Sequence, residues 1–316
     1  MAEKNTNPKS AALLFLHAQT PLHPGSGTAL GVVDLPVQRE RHTQWPLIPG
    51  SALKGILRDA CREQVKGKYK SRKETNEKDP DLTAVFGPGL VDDDSAFAGA
   101  LSLTDARILA FPVRSMRGVF AWVTCPAVLE RFARDAALAG IKGMSRLDLK
   151  PDAGQVLCKK TSPLVLQNED MVILEEFEFK LKGDGGNSVE WISKNAVNDD
   201  ATGDRIKDCM IVLNDDNFTH FVRHATEVVA RIGLDYETKT VKTGALFYEE
   251  FIPAETLFYP VALAGPSRNK KSNEMSGKSV LEYVAQNLPK VLQVGADETI
   301  GKGLCTPKLM MTGGAS

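Results

Sequence analysis

Between residues 17 and 41 the chain places His23, three glycines (Gly25, Gly27, Gly31), Asp34 and two arginines (Arg39, Arg41) in one run without helical spacing. Glycines let a backbone approach a ligand closely, arginines match phosphate geometry, and an aspartate among them can accept a proton or hold a metal ion. On residue type alone Asp34, just ahead of Leu35-Pro36, reads more simply as a turn former. His23 stands evenly between catalysis and loop packing.

Two nucleotide cradles are excluded. The third glycine of Gly25, Gly27 and Gly31 comes one residue late for the dinucleotide fingerprint, and Pro36 blocks a helix directly after it. A second glycine-rich loop, residues 295–303, has five residues rather than the four of a P-loop between Gly295 and Gly301, and no Ser or Thr follows Lys302.

Basic residues also recur at useful spacings. Leu53, Ile56, Leu57, Ala60 and Val65 predict a helix with Ser51 as its N-cap, and Lys54, Arg58 and Arg62 form an i, i+4, i+8 stripe along it. A solvated face is the simpler account of such a stripe. Arg114 and Arg117 stand at the entrance of an apolar strand, residues 119–125, where they can grip phosphates or pair with Asp92, Asp93 and Asp94. His220 and His224 fall at i, i+4 in a predicted helix over residues 219–232, but the glutamate of the H-E-x-x-H zinc pattern is missing.

The elements that must carry these groups alternate between strand and helix. Strands are predicted over residues 11–18, 100–110, 172–181, 244–251, 256–263 and 304–311, and further helices over 126–139 and 280–287. Residues 66–81 and 194–208 are so polar that they read as surface insertions, the first of them mobile. Residues 235–243 have hairpin character.

Composition sets the boundaries. The 316 residues are 42% hydrophobic and 25% charged, ample for a large core. A net charge of -1 excludes a globally basic nucleic-acid binder, so any RNA-binding surface requires segregated charge. The five scattered cysteines include no C-x-x-C pair, which argues against a disulfide framework or cysteine zinc site and for a reducing cytoplasm. No apolar run approaches the roughly 20 residues of a membrane span, and the N-terminus has no signal core.

The motifs His23-Pro-Gly-Ser-Gly, Gly31-Val-Val-Asp-Leu-Pro-Val-Gln-Arg-Glu-Arg-His and Ile48-Pro-Gly-Ser-Ala-Leu-Lys-Gly-Ile-Leu-Arg, with the glycine loop at 295–303, carry a resemblance to a known family. Further support comes from Phe111-Pro-Val-Arg-Ser-Met-Arg-Gly and Gly244-Ala-Leu-Phe-Tyr-Glu-Glu. Together they resemble the RAMP superfamily of CRISPR-associated proteins, and within it the backbone subunits of type III-B (Cmr) effectors. The likeness covers most of the chain and is vaguest over residues 140–215.

The resemblance implies an α+β fold: a ferredoxin-like, RNA-recognition-type core enlarged by finger and thumb insertions, forming a single elaborated domain with the thumb hairpin within residues 232–247. It implies copies stacked head to tail along crRNA beside other Cmr subunits, with complementary target RNA cut in the presence of a divalent metal, Mg²⁺ or Mn²⁺. By the motif match Asp34 is the catalytic and metal-binding residue, and His23 is an acid or a support for it. Ser51, Lys54 and Arg58 would face guide phosphates. Arg39, Arg41, Arg114, Arg117, Thr299 and Lys302 would line the same groove, and Lys239 and Lys242 the hairpin. Two alternatives stay open, a non-catalytic RNA-binding scaffold and a RAMP-type endonuclease that processes precursor crRNA.

Overall fold

The first apolar run folds as β1 (Ser10–Ala18), buried without interruption from Ala12 to Ala18. Alternation is absent because both faces of this strand are covered. In the computed structural model, which describes residues 10–28, 32–89, 97–144, 149–268 and 274–312, β1 belongs to a 13-stranded sheet, in which it pairs with three later strands. After the glycine loop come the two-residue β2 (Leu47–Ile48) and α1 (Gly50–Gln64), which buries Leu53, Leu57 and Cys61.

The start of α1 departs from expectation. Its N-cap position is Pro49, not Ser51, and the first helical N–H, that of Gly50, donates to Asp105 Oδ1 at 2.8 Å. A Cβ on Gly50 would lie 2.6 Å from the Leu103 carbonyl oxygen, so the helix can begin this close to the sheet only with glycine.

Residues 66–81, expected to be mobile, carry α2 (Arg72–Lys78) and the start of α3 (Pro80–Phe86). Ser71 and Asp79 cap these helices, Lys78 pairs with Glu74, and Arg72 reaches Asp59 on α1. Polarity here reflects capping and intrahelical pairing rather than disorder.

The predicted strand over 100–110 is split by Thr104 and Asp105 into β3 (Leu101–Leu103) and β4 (Ala106–Arg114). β5 (Phe120–Thr124) and α4 (Pro126–Leu138), with proline in its first turn, follow as expected. After β6 (Gln155–Leu157), the single strand predicted over 172–181 is a hairpin, β7 (Met171–Leu174) and β8 (Phe177–Gly183), turning at Glu175 with φ of 51°. The polar residues 194–208 belong to α5 (Gly186–Asn195) and α6 (Asp200–Cys209), the latter capped by Asp199.

β9 (Met210–Val212) leads to α7 (Asp215–His224), which stops well before the expected 232. Val228, Val229 and Ile232 belong instead to β10 (Glu227–Leu234), paired antiparallel with β11 (Val241–Phe251). These β-branched residues suit a pleated ribbon, and pairing with a long partner overrides the helical pattern. The hairpin is therefore much longer than residues 235–243 and forms a separate two-stranded sheet.

The chain then returns to β1 through β12 (Leu257–Tyr259), β13 (Val261–Ala264), α8 (Gly277–Gln286), β14 (Leu292–Gln293) and β15 (Leu304–Met311). Around β1 the antiparallel order is β15-β1-β13-β3, with α1 between β1 and β3 and α8 between β13 and β15. That is the βαββαβ arrangement of the ferredoxin-like fold, as expected. β12 pairs with both β1 and β4, and from β4 the sheet continues through β5, β9, β6, β8 and β7. Among the described residues no helix is long and apolar enough to cross a membrane.

Candidate functional site

Asp34 sits on the segment that follows the first glycine loop, and β11 holds it there. The backbone N–H groups of Asp34 and Leu35 both donate to the Tyr248 carbonyl at 3.1 Å, and the Tyr248 N–H donates back to Asp34 Oδ2 at 2.7 Å. Oδ1 makes no hydrogen bond among the described residues, and the side chain is partly exposed. One carboxylate oxygen is thus fixed while the other stays available. Gly31, which opens the Gly-Val-Val-Asp motif, lies outside the described residues.

The next two residues of β11 organise the loop from beneath. His23 is 5% exposed, its Nδ1 donates to the Glu250 carbonyl at 2.7 Å, and its Nε2 lies 3.6 Å from Glu249 Oε1. Phe251 meets the imidazole edge-on at 5.7 Å between ring centres. Of the two roles expected for His23, this geometry suits support of the loop, because both ring nitrogens face the chain's own groups. The Glu250 carboxylate accepts from Arg39 Nη2 at 2.5 Å, Thr226 Oγ1 at 2.8 Å and the Val37 N–H at 3.0 Å. Arg39 Nη1 donates further to the carbonyls of Gln44 and Val222. The guanidinium expected on guide phosphates is therefore spent inside the fold.

The second glycine loop meets the first. The Ala296 N–H donates to the His23 carbonyl at 3.0 Å, and a Cβ on Gly295 would lie 2.5 Å from that same oxygen. A groove of about 540 Å³ opens where the two loops meet the start of α1, lined by His23, Gly25, Leu35, Pro49, Ala52 and Gly295. Ser51 is exposed in the first turn of α1 and Lys54 is half-buried one turn later. Burial, with Arg58 and Arg268 nearby, holds the Lys54 ammonium below its usual pKa, a site primed to gain from an anion. Thr299, on a single 3₁₀ turn (Glu298–Ile300), is exposed, and the Lys302 ammonium sits 4.8 Å over the Phe251 ring.

Other expected contacts are placed elsewhere or engaged internally. Arg58 donates to the Gly87 carbonyl at 2.9 Å, Arg114 pairs with Glu175 at 2.7 Å, and Arg117 donates to the Val165 carbonyl at 2.9 Å. The alternative partners Asp92, Asp93 and Asp94 lie outside the described residues. Arg41 is exposed, and Lys242 and Lys239, the latter 4.3 Å over the Tyr236 ring, stand at the far end of the hairpin. Sequence reasoning missed Glu249, Glu250, Arg231 and Asp297. The available signal was a Glu-Glu pair directly after the run Ala245-Leu-Phe-Tyr and before Phe251, since buried carboxylates require dedicated partners.

His220 and His224 do adjoin, ring centres 4.8 Å apart, but no three His, Cys, Asp or Glu side chains converge on a cation site among the described residues. At Asp34 a single carboxylate could hold a cation only together with groups from outside the described residues.

Residues 15–306 match the model of the RAMP superfamily. The chain belongs to that superfamily. Over 297 residues this RAMP protein is 40% identical to the CRISPR system Cmr endoribonuclease Cmr4 of Pyrococcus furiosus, covering 93% of each chain. It is 27% identical over 310 residues to the CMR subunit Cmr4 of Saccharolobus solfataricus, covering 92% of this chain and 93% of the other. Its structure is similar to that of oligomeric Cmr4 from Pyrococcus furiosus, with a TM-score of 0.71 at 30% identity over 97% of this chain and 99% of that one. A chain of the type III-B Cmr-beta complex bound to cognate target RNA shares the fold at 22% identity, with a TM-score of 0.69 over 95% and 96% of the two chains.

Proposed function

We propose that this RAMP protein is the guide-RNA-binding backbone subunit of a cytoplasmic type III-B CRISPR effector, and that assembled copies cut target RNA paired to the crRNA. Its 40% identity to a Cmr4 endoribonuclease and its likeness to an oligomeric Cmr4 support the reading. Head-to-tail stacking accommodates a net charge of -1, because an acidic face of one copy can meet a basic face of the next while the groove stays positive.

The observation that carries the catalytic part is Asp34, one oxygen tied to Tyr248 and the other without a hydrogen bond among the described residues. Cleavage of RNA by its own 2′-hydroxyl needs that oxygen deprotonated and in line with the departing 5′ oxygen. On this reading Asp34 Oδ1 takes the proton, the departing 5′ oxygen takes one from water, and a 2′,3′-cyclic phosphate is left. His23, packed beneath the loop, holds the segment that presents Asp34. The groove beside the two glycine loops and the start of α1 would seat the guide backbone, with Ser51, Lys54, Thr299 and Lys302 toward phosphate, while base pairing supplies sequence specificity. In the alternative role Asp34 Oδ1 would hold a divalent ion together with RNA oxygens, and the ion would supply the base and the stabilisation of phosphoryl charge.

The test is a complex assembled with Asp34→Ala protein, guide and end-labelled target. Guide binding and copy number should match wild type while cleavage is lost; undiminished cleavage overturns the catalytic assignment and leaves a scaffold.

A further inference from the structure

The hairpin β10–β11 is joined to the C-terminal glycine loop by one guanidinium. Arg231 Nη1 donates to Asp297 Oδ2 at 2.8 Å and also to Glu249 Oε2. In the β10–β11 register Arg231 lies opposite Phe247, so Glu249 is its diagonal neighbour on the same face, and the guanidinium carbon stands 5.7 Å from the Phe247 ring centre. The register slips directly after it, between Ile232 and Leu234.

Both of its carboxylate partners are constrained. Glu249 is 3% exposed and has His23 on its other side, and Asp297 occupies the left-handed region with φ of 64°. The second glycine loop is thereby closed on two sides, by the His23 carbonyl through Ala296 and by Arg231 through Asp297. Between Phe247 and Glu249 lies Tyr248, whose N–H holds Asp34.

We propose that Arg231 is a positioning residue for target cleavage. By tying Glu249 to Asp297 it fixes the stretch of β11 that presents Asp34 against the loop that carries Thr299 and Lys302. The inference rests on the catalytic reading of Asp34. It adds that the alignment of target against guide is set by an ion pair between two segments neither of which contains Asp34. Without Arg231 the buried Glu249 loses its cation, and the hairpin base and glycine loop are free to separate. A shift of this kind at a reacting centre costs rate before it costs affinity.

The test uses complexes assembled on guide RNA with Arg231→Met, Arg231→Lys, Asp297→Asn or Asp34→Ala protein. Guide binding, copies per guide, target affinity and single-turnover cleavage at saturating complex are measured. Arg231→Met should bind guide and target like wild type and cut on the order of 100-fold more slowly. Arg231→Lys should recover most of the rate, because an ammonium still neutralises both carboxylates. Asp297→Asn, which removes one partner but keeps the side chain's shape, should assemble and cut at an intermediate rate. A wild-type rate in Arg231→Met overturns the proposal, as does a parallel loss of assembly, affinity and rate that lysine does not restore. If Arg231→Met does not assemble but Arg231→Lys does, the Asp297→Asn rate decides in the same way. Full cleavage by Asp34→Ala would instead sink the catalytic reading itself, which separates the two failures.

Discussion

Asp34 and Tyr248 are 214 residues apart in sequence, yet the Tyr248 N–H holds one oxygen of the Asp34 carboxylate at 2.7 Å. Asparagine at position 34 can still accept that hydrogen bond but has no negative charge. Asp34→Asn should therefore melt like wild type and assemble on guide RNA, while target cleavage falls by about 100-fold or more. Single-turnover cleavage alongside thermal melting checks this; an unaltered rate would show that the charge is not used.

Glu250 is the most heavily committed carboxylate near the site. Arg39→Ala removes its cation and leaves a side chain of 7% exposure with an uncompensated charge. Losing one partner of such a pair costs about 3 kcal/mol or more. Urea titration should show that loss, whereas guide affinity should change less than for substitutions at the groove. A fall in affinity with no fall in stability would return Arg39 to the RNA surface.

Lys54 is argued to meet the guide directly. Lys54→Glu should weaken guide binding and flatten its salt dependence, lowering the slope of log K against log salt by roughly 0.7 or more for a single-stranded guide. Filter binding at several salt concentrations measures the slope. An unchanged slope removes Lys54 from the phosphate contacts.

The cysteines give a test unrelated to RNA. Burial pushes the thiols of Cys61, Cys158 and Cys305 up from 9.0 to about 12. Their pKa is higher in the folded than in the unfolded chain, so the unfolded state deprotonates first as pH rises. Stability from this source is intact below about pH 9 and is lost progressively toward pH 12. These three thiols should resist iodoacetamide at pH 8 in the native protein and react in denaturant; fast native labelling would contradict their burial.

Much of the fold was legible where one element has one job. β1, α4 and β15 were placed nearly to the residue by apolar runs, a first-turn proline and flanking turn residues. Errors arose where a tertiary partner overruled a local pattern. α7 gave way to β10 because Val228, Val229 and Ile232 found β11, and Ser51 lost the N-cap position to Pro49, with the distant Asp105 accepting from the first helical N–H. Residues 66–81 folded because their charges pair along and between helices, which composition does not report.

For the site, the sequence by itself determined which residue types stand together between His23 and Arg41, that neither glycine loop is a nucleotide cradle, and which family the motifs resemble. Those properties are local, set by spacing, proline and glycine. Only the tertiary structure decided which of those side chains remain free for RNA. It paired Arg39 with Glu250, buried His23 beneath the loop, and left one oxygen of Asp34 without a hydrogen bond among the described residues. The reason is physical: a cation or carboxylate is available to a ligand only if the fold has not already satisfied it, and its partners here come from β11, 200 or more residues away in sequence.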